Sequence, residues 1–391
     1  MNKPDNKDHY LCAAEKCLGC MACYNACAIG AIGIHEDELL TLLPKIDPEK
    51  CISCKRCSKV CPVLNPVYGH KPVEGYAAHI CDEHDIKTCS SGGIAAAFYR
   101  RIIESGGSVV GAFTHGEQAP SYGVTDNKND IEKLKGSKYV YVDPGKVFCR
   151  IKKDLDSDKL CLFVGTPCHV DALNHFLGKD YKNLITVDLI CHGTPPFSYL
   201  SDHIRSVNKH RRKIKSYSFR GERDFSFVLN SDDSVVYQKS AGEDCYYLAF
   251  LDGLIHRKNC YSCPYANPCR VSDITIGDYW GRPDGILNGY KGKVSAVLIN
   301  NSKGKDFWNK ITDQIEFEIT SVDDIIAGNG QLRQPSVPHH ERRQFEEAIL
   351  SGCSFDDAVG KTSISAKVNR NRIRSKVLWI PRTIKHTLIR K

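Results

Sequence analysis

The sequence predicts an α+β, cysteine-rich module over residues 1–66, followed by an α/β domain with a mostly parallel sheet over residues 81–335. Three observations predict this. Nine of the 20 cysteines precede residue 67, and eight of these repeat one C-x2-C-x2-C-x3-C pattern. Beyond residue 81, short Val/Ile/Leu runs alternate with helix-like segments, as expected of strands buried under helices. At 391 residues, 41% hydrophobic and 26% charged, the chain has ordinary globular composition and room for two or three cores.

The elements follow in order. The cysteine module ends at Cys61-Pro62-Val63-Leu64-Asn65-Pro66, and residues 67–80, with Gly69, Pro72 and Gly75, read as a linker. Residues 94–103 read as a helix behind Ser90-Ser91-Gly92-Gly93. Gly106-Gly107 turns the chain into a strand at 108–113. The apolar runs 160–164 and 184–190 read as buried parallel strands, each leading into a Gly/Thr/Pro loop and a helix. Residues 274–276 and 294–299 are further strands. Residues 336–391 read as a polar, then basic, C-terminal tail.

Composition limits function. No apolar run reaches the length of a spanning helix, and the polar first ten residues lack the apolar core of a secretory signal. A cytoplasmic location is expected, where disulfides are rare and clustered cysteines serve as metal or redox groups. The net charge of +8 is uneven: residues 361–391 hold ten Lys/Arg and no acidic residue, which leaves −2 on the rest. A near-neutral body gives no reason to expect nucleic-acid binding.

The strongest signal is the N-terminal array. Cys17, Cys20, Cys23 and Cys27 form one run; Cys51, Cys54, Cys57 and Cys61 form the second, with Pro62 behind it. Three thiolates from a tight loop wrap one side of a four-iron cube, and the fourth must approach from elsewhere. In two-cluster ferredoxins the fourth Cys of each run serves the other cluster. The expected sets are therefore Cys17, Cys20, Cys23 with Cys61, and Cys51, Cys54, Cys57 with Cys27, in a bacterial ferredoxin-like domain. Four-thiolate zinc, the alternative, is built from two Cys pairs and fits these compact runs poorly.

A second set is dispersed. Cys168 follows one predicted strand in Gly165-Thr166-Pro167-Cys168, and Cys191 follows the next in Cys191-His192-Gly193-Thr194-Pro195. Adjacent parallel strands lie about 4.8 Å apart, so these cysteines are expected together at the cofactor-binding end of the sheet. With Cys260 and Cys263 they make four, the number a third cluster needs. Small buried thiols, half a zinc site or a redox pair are the alternatives. Cys269 is a spare, and Cys12, Cys81, Cys89, Cys149, Cys161, Cys245 and Cys353 read as structural. Ser90-Ser91-Gly92-Gly93 before a helix is an anion site for a cofactor phosphate, or an ordinary cap. His169 and His192 read equally as proton donors or as loop residues satisfying backbone groups, and Asp278 as a turn residue.

Taken in order, these stretches resemble the beta-subunit family of coenzyme F420 hydrogenases and dehydrogenases, in its form with a fused two-cluster ferredoxin. The resemblance rests on the cysteine arrays, Ser90-Ser91-Gly92-Gly93, Gly136-Ser137-Lys138-Tyr139-Val140, Phe163-Val164-Gly165-Thr166-Pro167-Cys168, Ile190-Cys191-His192-Gly193, Cys260-Tyr261-Ser262-Cys263 and Asp273-Ile274-Thr275-Ile276-Gly277-Asp278-Tyr279-Trp280-Gly281. It implies a flavin, usually FAD, beside an iron–sulfur cluster, with Ser91, Gly92, Gly93, Lys138 and Tyr139 as its neighbours. It implies hydride exchange with coenzyme F420 or another small organic substrate, and members also occur beside surface-polysaccharide genes. A flavin couples hydride transfer to one-electron clusters. The expected function is thus an iron–sulfur flavoprotein oxidoreductase, with ferredoxin or another redox protein as partner. The alternative is an electron-transfer subunit that relays electrons to a partner enzyme and has no substrate of its own.

In the tail, Ile373, Val377, Ile380, Ile384 and Leu388 recur at near-helical spacing among basic residues, with Pro381 interrupting. A helix docked on the body, or a solvated basic end, is favoured over peripheral membrane contact.

Overall fold

The computed structural model describes residues 10–221, 224–281 and 283–379. Among the described residues, thirteen strands form three sheets. β1 (Ile32–Glu36) and β2 (Leu42–Ile46) make an antiparallel hairpin in the cysteine module. β8 (Ser216–Ser218), β9 (Ser226–Asn230) and β10 (Val235–Ser240) make a small antiparallel sheet. The large sheet holds β3 (Glu74–Ile80), β4 (Ser108–His115), β5 (Gln118–Thr125), β6 (Cys161–Gly165), β7 (Leu184–Leu189), β11 (Ile274–Asp278), β12 (Ser295–Ile299) and β13 (Ile315–Thr320). Its order is β13-β3-β12-β11-β7-β6-β4-β5.

The sheet is mixed, which corrects the mostly parallel expectation. Only the central run β11-β7-β6-β4 is parallel; β5, β12, β3 and β13 all join antiparallel. The reason is connection length. Gly116, at φ +62°, closes β4 onto β5 as a hairpin, whereas parallel neighbours need a crossover. The central strands have those crossovers: helix Val147–Asp156 precedes β6 and helix Pro167–Leu177 links it to β7. β3 lies within the stretch read as a linker. It is buried between β12 and β13 because Gly75 admits the close approach of Thr320 O, at 2.9 Å from where its Cβ would stand.

Two cores flank the site. One packs helix Ile94–Glu104 on the large sheet through Phe98, Ile102, Val109, Leu162 and Val297. The other lies under the small sheet. Helices Arg342–Leu350, Phe355–Gly360 and Ser363–Trp379 bring Phe345, Phe355, Ile364 and Val368 into it, so much of the stretch read as a polar tail is core-forming. The last helix docks through Asn371 to Gly242 O (2.8 Å) and Arg372 to Glu243 O (2.8 Å). Ile380, Ile384 and Leu388 lie outside the described residues. No helix among the described residues is long and apolar enough to cross a membrane.

Candidate iron–sulfur centres and strand-end cavity

The cysteine module repeats its own backbone. Gly19 and Ser53 take φ +61° and +55°; Met21 and Lys55 take φ +58° and +59°. These are equivalent positions in the two Cys-x2-Cys-x2-Cys loops, each just before a short helix, Ala22–Ala26 or Arg56–Lys59. Left-handed conformations at Met21, Ser53 and Lys55 are unfavourable for residues with a Cβ, and strain of this kind persists where the surroundings over-determine it. A loop that turns its thiols and amides inward onto a compact anion has that need.

The first run folds around a small closed cavity lined by Cys17, Cys20, Cys23 and Cys61, together with Cys12. The structure thus brings Cys61 to the first run and leaves Cys27 outside that group. Cys57 lies near Cys51, and the Cys27 thiol accepts the Ala31 N–H at 3.2 Å. Cys17, Cys20, Cys23 and Cys61 give the first site the four-thiol donor set of a cubane cluster, so its residues fit the group. Exposure separates the sites: Cys20, Cys23 and Cys61 are buried, whereas Cys54 is exposed in the second loop. Cys12 reads as structural in the sequence, yet its thiol lies beside Cys17 and Cys61 on the same cavity wall. It stands five residues before the first motif, and no spacing rule points to it.

The dispersed set also converges. β6 and β7 are parallel neighbours, with Gly165 opposite Asp188, so Cys168 and Cys191 leave the same end of the sheet. The turn after helix Cys245–Leu251 carries Cys260 and Cys263 to meet them. All four line one cavity of about 400 Å3, and Cys168 and Cys191 each lie close enough to Cys260 and Cys263 for like-charge repulsion between thiolates. Thr166 Oγ1 lies 3.2 Å from Cys168 Sγ, and the Gly193 N–H donates to Cys191 Sγ at 3.4 Å. Burial pushes the Cys168 thiol up to about 12 and Cys263 to about 11. Buried thiols held by N–H and O–H donors are suited to a metal that deprotonates them on binding. Cys20 and Cys168 lie within electrostatic reach and share one apolar cluster with Leu18 and Ala22.

The cavity continues across the sheet ends to helix Ile94–Glu104. Gly93, Ile94 and Ala95 line it, and no side chain caps this helix, so its first amides are open to an anion. Ser91, Lys138 and Tyr139 line it too. Gly92 does not. Its Cα faces β3 and β12, and a Cβ there would strike Ala78 O and lie 2.6 Å from the Ser295 N. It lets the chain before the helix pack close on the sheet.

Other expectations resolve locally. His192 bridges Gln331 Nε2 (2.6 Å) and Leu251 O (3.2 Å), which makes it a loop residue satisfying its neighbours. His169 is buried against Tyr122 OH at 3.0 Å, and burial lowers its pKa to about 3, so it is neutral. Asp278 pairs with Arg220, whose Nε donates to Tyr139 OH at 2.8 Å. Arg220 also lies over Phe225, which stacks with Trp280 (centroids 5.6 Å) at the cavity mouth. Arg220 and Phe225 went unnoticed in the sequence because no motif frames them.

Parts of the chain are similar to known proteins. Residues 158–325 match the family described as the C terminus of the coenzyme F420 hydrogenase/dehydrogenase beta subunit. Residues 16–65 and, overlapping them, 43–108 match two 4Fe-4S dicluster domains. An uncharacterized protein of Methanocaldococcus jannaschii is 22% identical over 335 residues, covering 76% of this chain and 86% of that protein. One component of the Na(+)-translocating ferredoxin:NAD(+) oxidoreductase complex of Acetobacterium woodii is 50% identical over 46 residues, 12% of this chain and 13% of that component. A chain in the F420-reducing NiFe hydrogenase complex from Methanosarcina barkeri aligns at 19% identity and a TM-score of 0.46, covering 75% of this chain and 93% of that one.

Proposed function

We propose that this chain, in which the C-terminal domain of a coenzyme F420 hydrogenase/dehydrogenase beta subunit follows a 4Fe-4S dicluster domain, is an iron–sulfur flavoprotein oxidoreductase. Cys17, Cys20, Cys23 and Cys61 hold one four-iron cluster, Cys51, Cys54, Cys57 and Cys27 a second, and Cys168, Cys191, Cys260 and Cys263 a third. One observation carries the reading: four cysteines from three separate segments meet on the wall of a cavity at the C-terminal ends of parallel strands. Open α/β sheets bind cofactors at that end, and thiols needed only for packing have no cause to gather there.

The cavity takes a flavin, FAD, which when bound exchanges hydride on one side and single electrons on the other. The chain's residues bind and orient. The open amides at Gly93, Ile94 and Ala95 receive a phosphate, with Ser91 beside them. Lys138 and Tyr139 bound the pocket, and Arg220 and Asp278 fix the Tyr139 hydroxyl side. The exposed Cys54 turn exchanges electrons with ferredoxin or another redox protein, and coenzyme F420 or another small organic hydride partner enters past Phe225 and Trp280.

Anaerobically reconstituted protein is expected to hold ~12 Fe and one flavin per chain, and its flavin is expected to be reduced by a low-potential one-electron donor. About eight Fe without flavin would overturn the reading.

A further inference from the structure

We propose that Arg257 is the positive charge that links the first N-terminal cluster to the third and sets the potential of both. The inference rests on the clusters assigned under Proposed function.

Arg257 is 3% exposed. Its Nη1 donates to Leu18 O at 2.8 Å, but Nε and Nη2 are buried and find no acceptor among the described residues. A buried cation without a counter-charge is strongly unfavourable. Its place therefore calls for an anion that side chains do not supply.

The direction of the guanidinium says where that anion is. A Cβ on Gly19, in the middle of Cys17-Leu18-Gly19-Cys20, would strike Nη2. The group thus lies against the backbone between the first two ligands of the buried site. Tyr141 holds it there: the guanidinium carbon sits 4.5 Å from that ring, and the Tyr141 hydroxyl donates to Gly19 O at 2.6 Å. The charge is near enough to act on both Cys17 and Cys168.

The backbone of the same residue belongs to the other site. The Arg257 N–H donates to Thr194 O (3.2 Å), three residues after Cys191, and Arg257 O accepts from the Cys260 N–H (3.0 Å). One residue is thus anchored in the loop of the third set while its side chain ends in the loop of the first.

A thiolate-ligated four-iron cluster is anionic and gains one negative charge on reduction. A fixed cation between two such clusters favours the reduced form of each. In the transfer itself one electron leaves the reduced cluster and the other cluster takes it. No bond forms or breaks and no proton moves. The electrons come from the low-potential protein donor already proposed. Arg257 acts through the clusters, as a positioning residue.

The test is EPR-monitored redox titration of holoprotein carrying R257M, R257Q or R257K. Wild type with ~12 Fe establishes the underlying clusters; ~8 Fe there defeats the proposed function and not this step. With iron complete, the neutral variants are expected to shift the reduction equilibrium of the first and third clusters about tenfold toward the oxidised form, 59 mV for one electron. R257K is expected to restore most of the shift. Unchanged midpoints in R257M and R257Q overturn the proposal. If the neutral variants lose iron, recovery of full iron by R257K supports a need for charge, and its failure to recover overturns it.

Discussion

Lys138 sits on the cavity wall with its Nζ bonded to Leu134 O (2.9 Å) and Lys135 O (2.7 Å), and desolvation lowers its pKa to about 7. An unfolded lysine titrates near 10.4. Between about pH 7 and 10.4 the unfolded chain binds the extra proton, so stability rises with pH; below about 7 both states are protonated and the burial penalty is full. Lys138→Met is therefore expected to flatten the wild-type rise, as measured by denaturant unfolding of holoprotein at several pH values. Parallel wild-type and variant curves would contradict the assignment. Cys61 and Cys27 offer a second residue-level test, because each lies in one motif and is proposed to serve the other. Cys61→Ser is expected to lose the EPR signal of the buried cluster while the exposed one remains, and Cys27→Ser the reverse. The sequence suggests both exchanges, because one tight loop cannot encircle a cube, and the fold brings Cys61 to the first run. Cys12, Arg220 and Arg257 were not legible. Their positions depend on segments that meet only in the folded chain, as when Arg257 reaches Leu18.

At the scale of elements, the turn bearing Cys260 and Cys263 is pinned to the sheet by one buried ion pair. Arg270 Nη2 donates to Asp188 Oδ1 at 2.8 Å, and Nη1 donates to Tyr265 O at 2.9 Å. Asp188 stands at the end of β7, two residues before the loop of Cys191 begins. Arg270→Leu leaves that carboxylate uncompensated and is expected to cost about 3–5 kcal/mol, with iron lost from the third set first; denaturant titration with parallel iron analysis checks both. The sequence shows β4, β6, β7, β11, β12 and the helix Ile94–Glu104 because each is a short apolar or amphipathic run between turn residues. β3 escaped notice because Pro72 and Gly75 carry the composition of a linker, while its partners β12 and β13 are supplied from more than 200 residues away. The helices Arg342–Leu350 and Phe355–Gly360 escaped for a similar reason. Their mean composition is polar, and only a few residues such as Phe345 and Phe355 reveal a buried face.

Across the whole molecule, the three thiol sets are graded by exposure. The second set is open to solvent at Cys54, the first is enclosed, and the dispersed set faces the cavity. On the proposed reading, electrons pass between a partner protein at Cys54 and the strand ends. Lys55 and Arg56 are exposed beside Cys54, so Lys55→Glu with Arg56→Glu is expected to slow reduction by an acidic ferredoxin about tenfold at low ionic strength. High salt is expected to shrink the difference, and reduction by dithionite is expected to stay unchanged. Equal ferredoxin rates in stopped-flow traces would place entry elsewhere. Four dispersed cysteines are proposed to build a third cluster at the cavity. Iron counts in anaerobically reconstituted wild type and in Cys191→Ser/Cys260→Ser decide this. Three four-iron clusters predict a fall from ~12 to ~8 Fe per chain, whereas ~8 Fe in both proteins would rule the third cluster out.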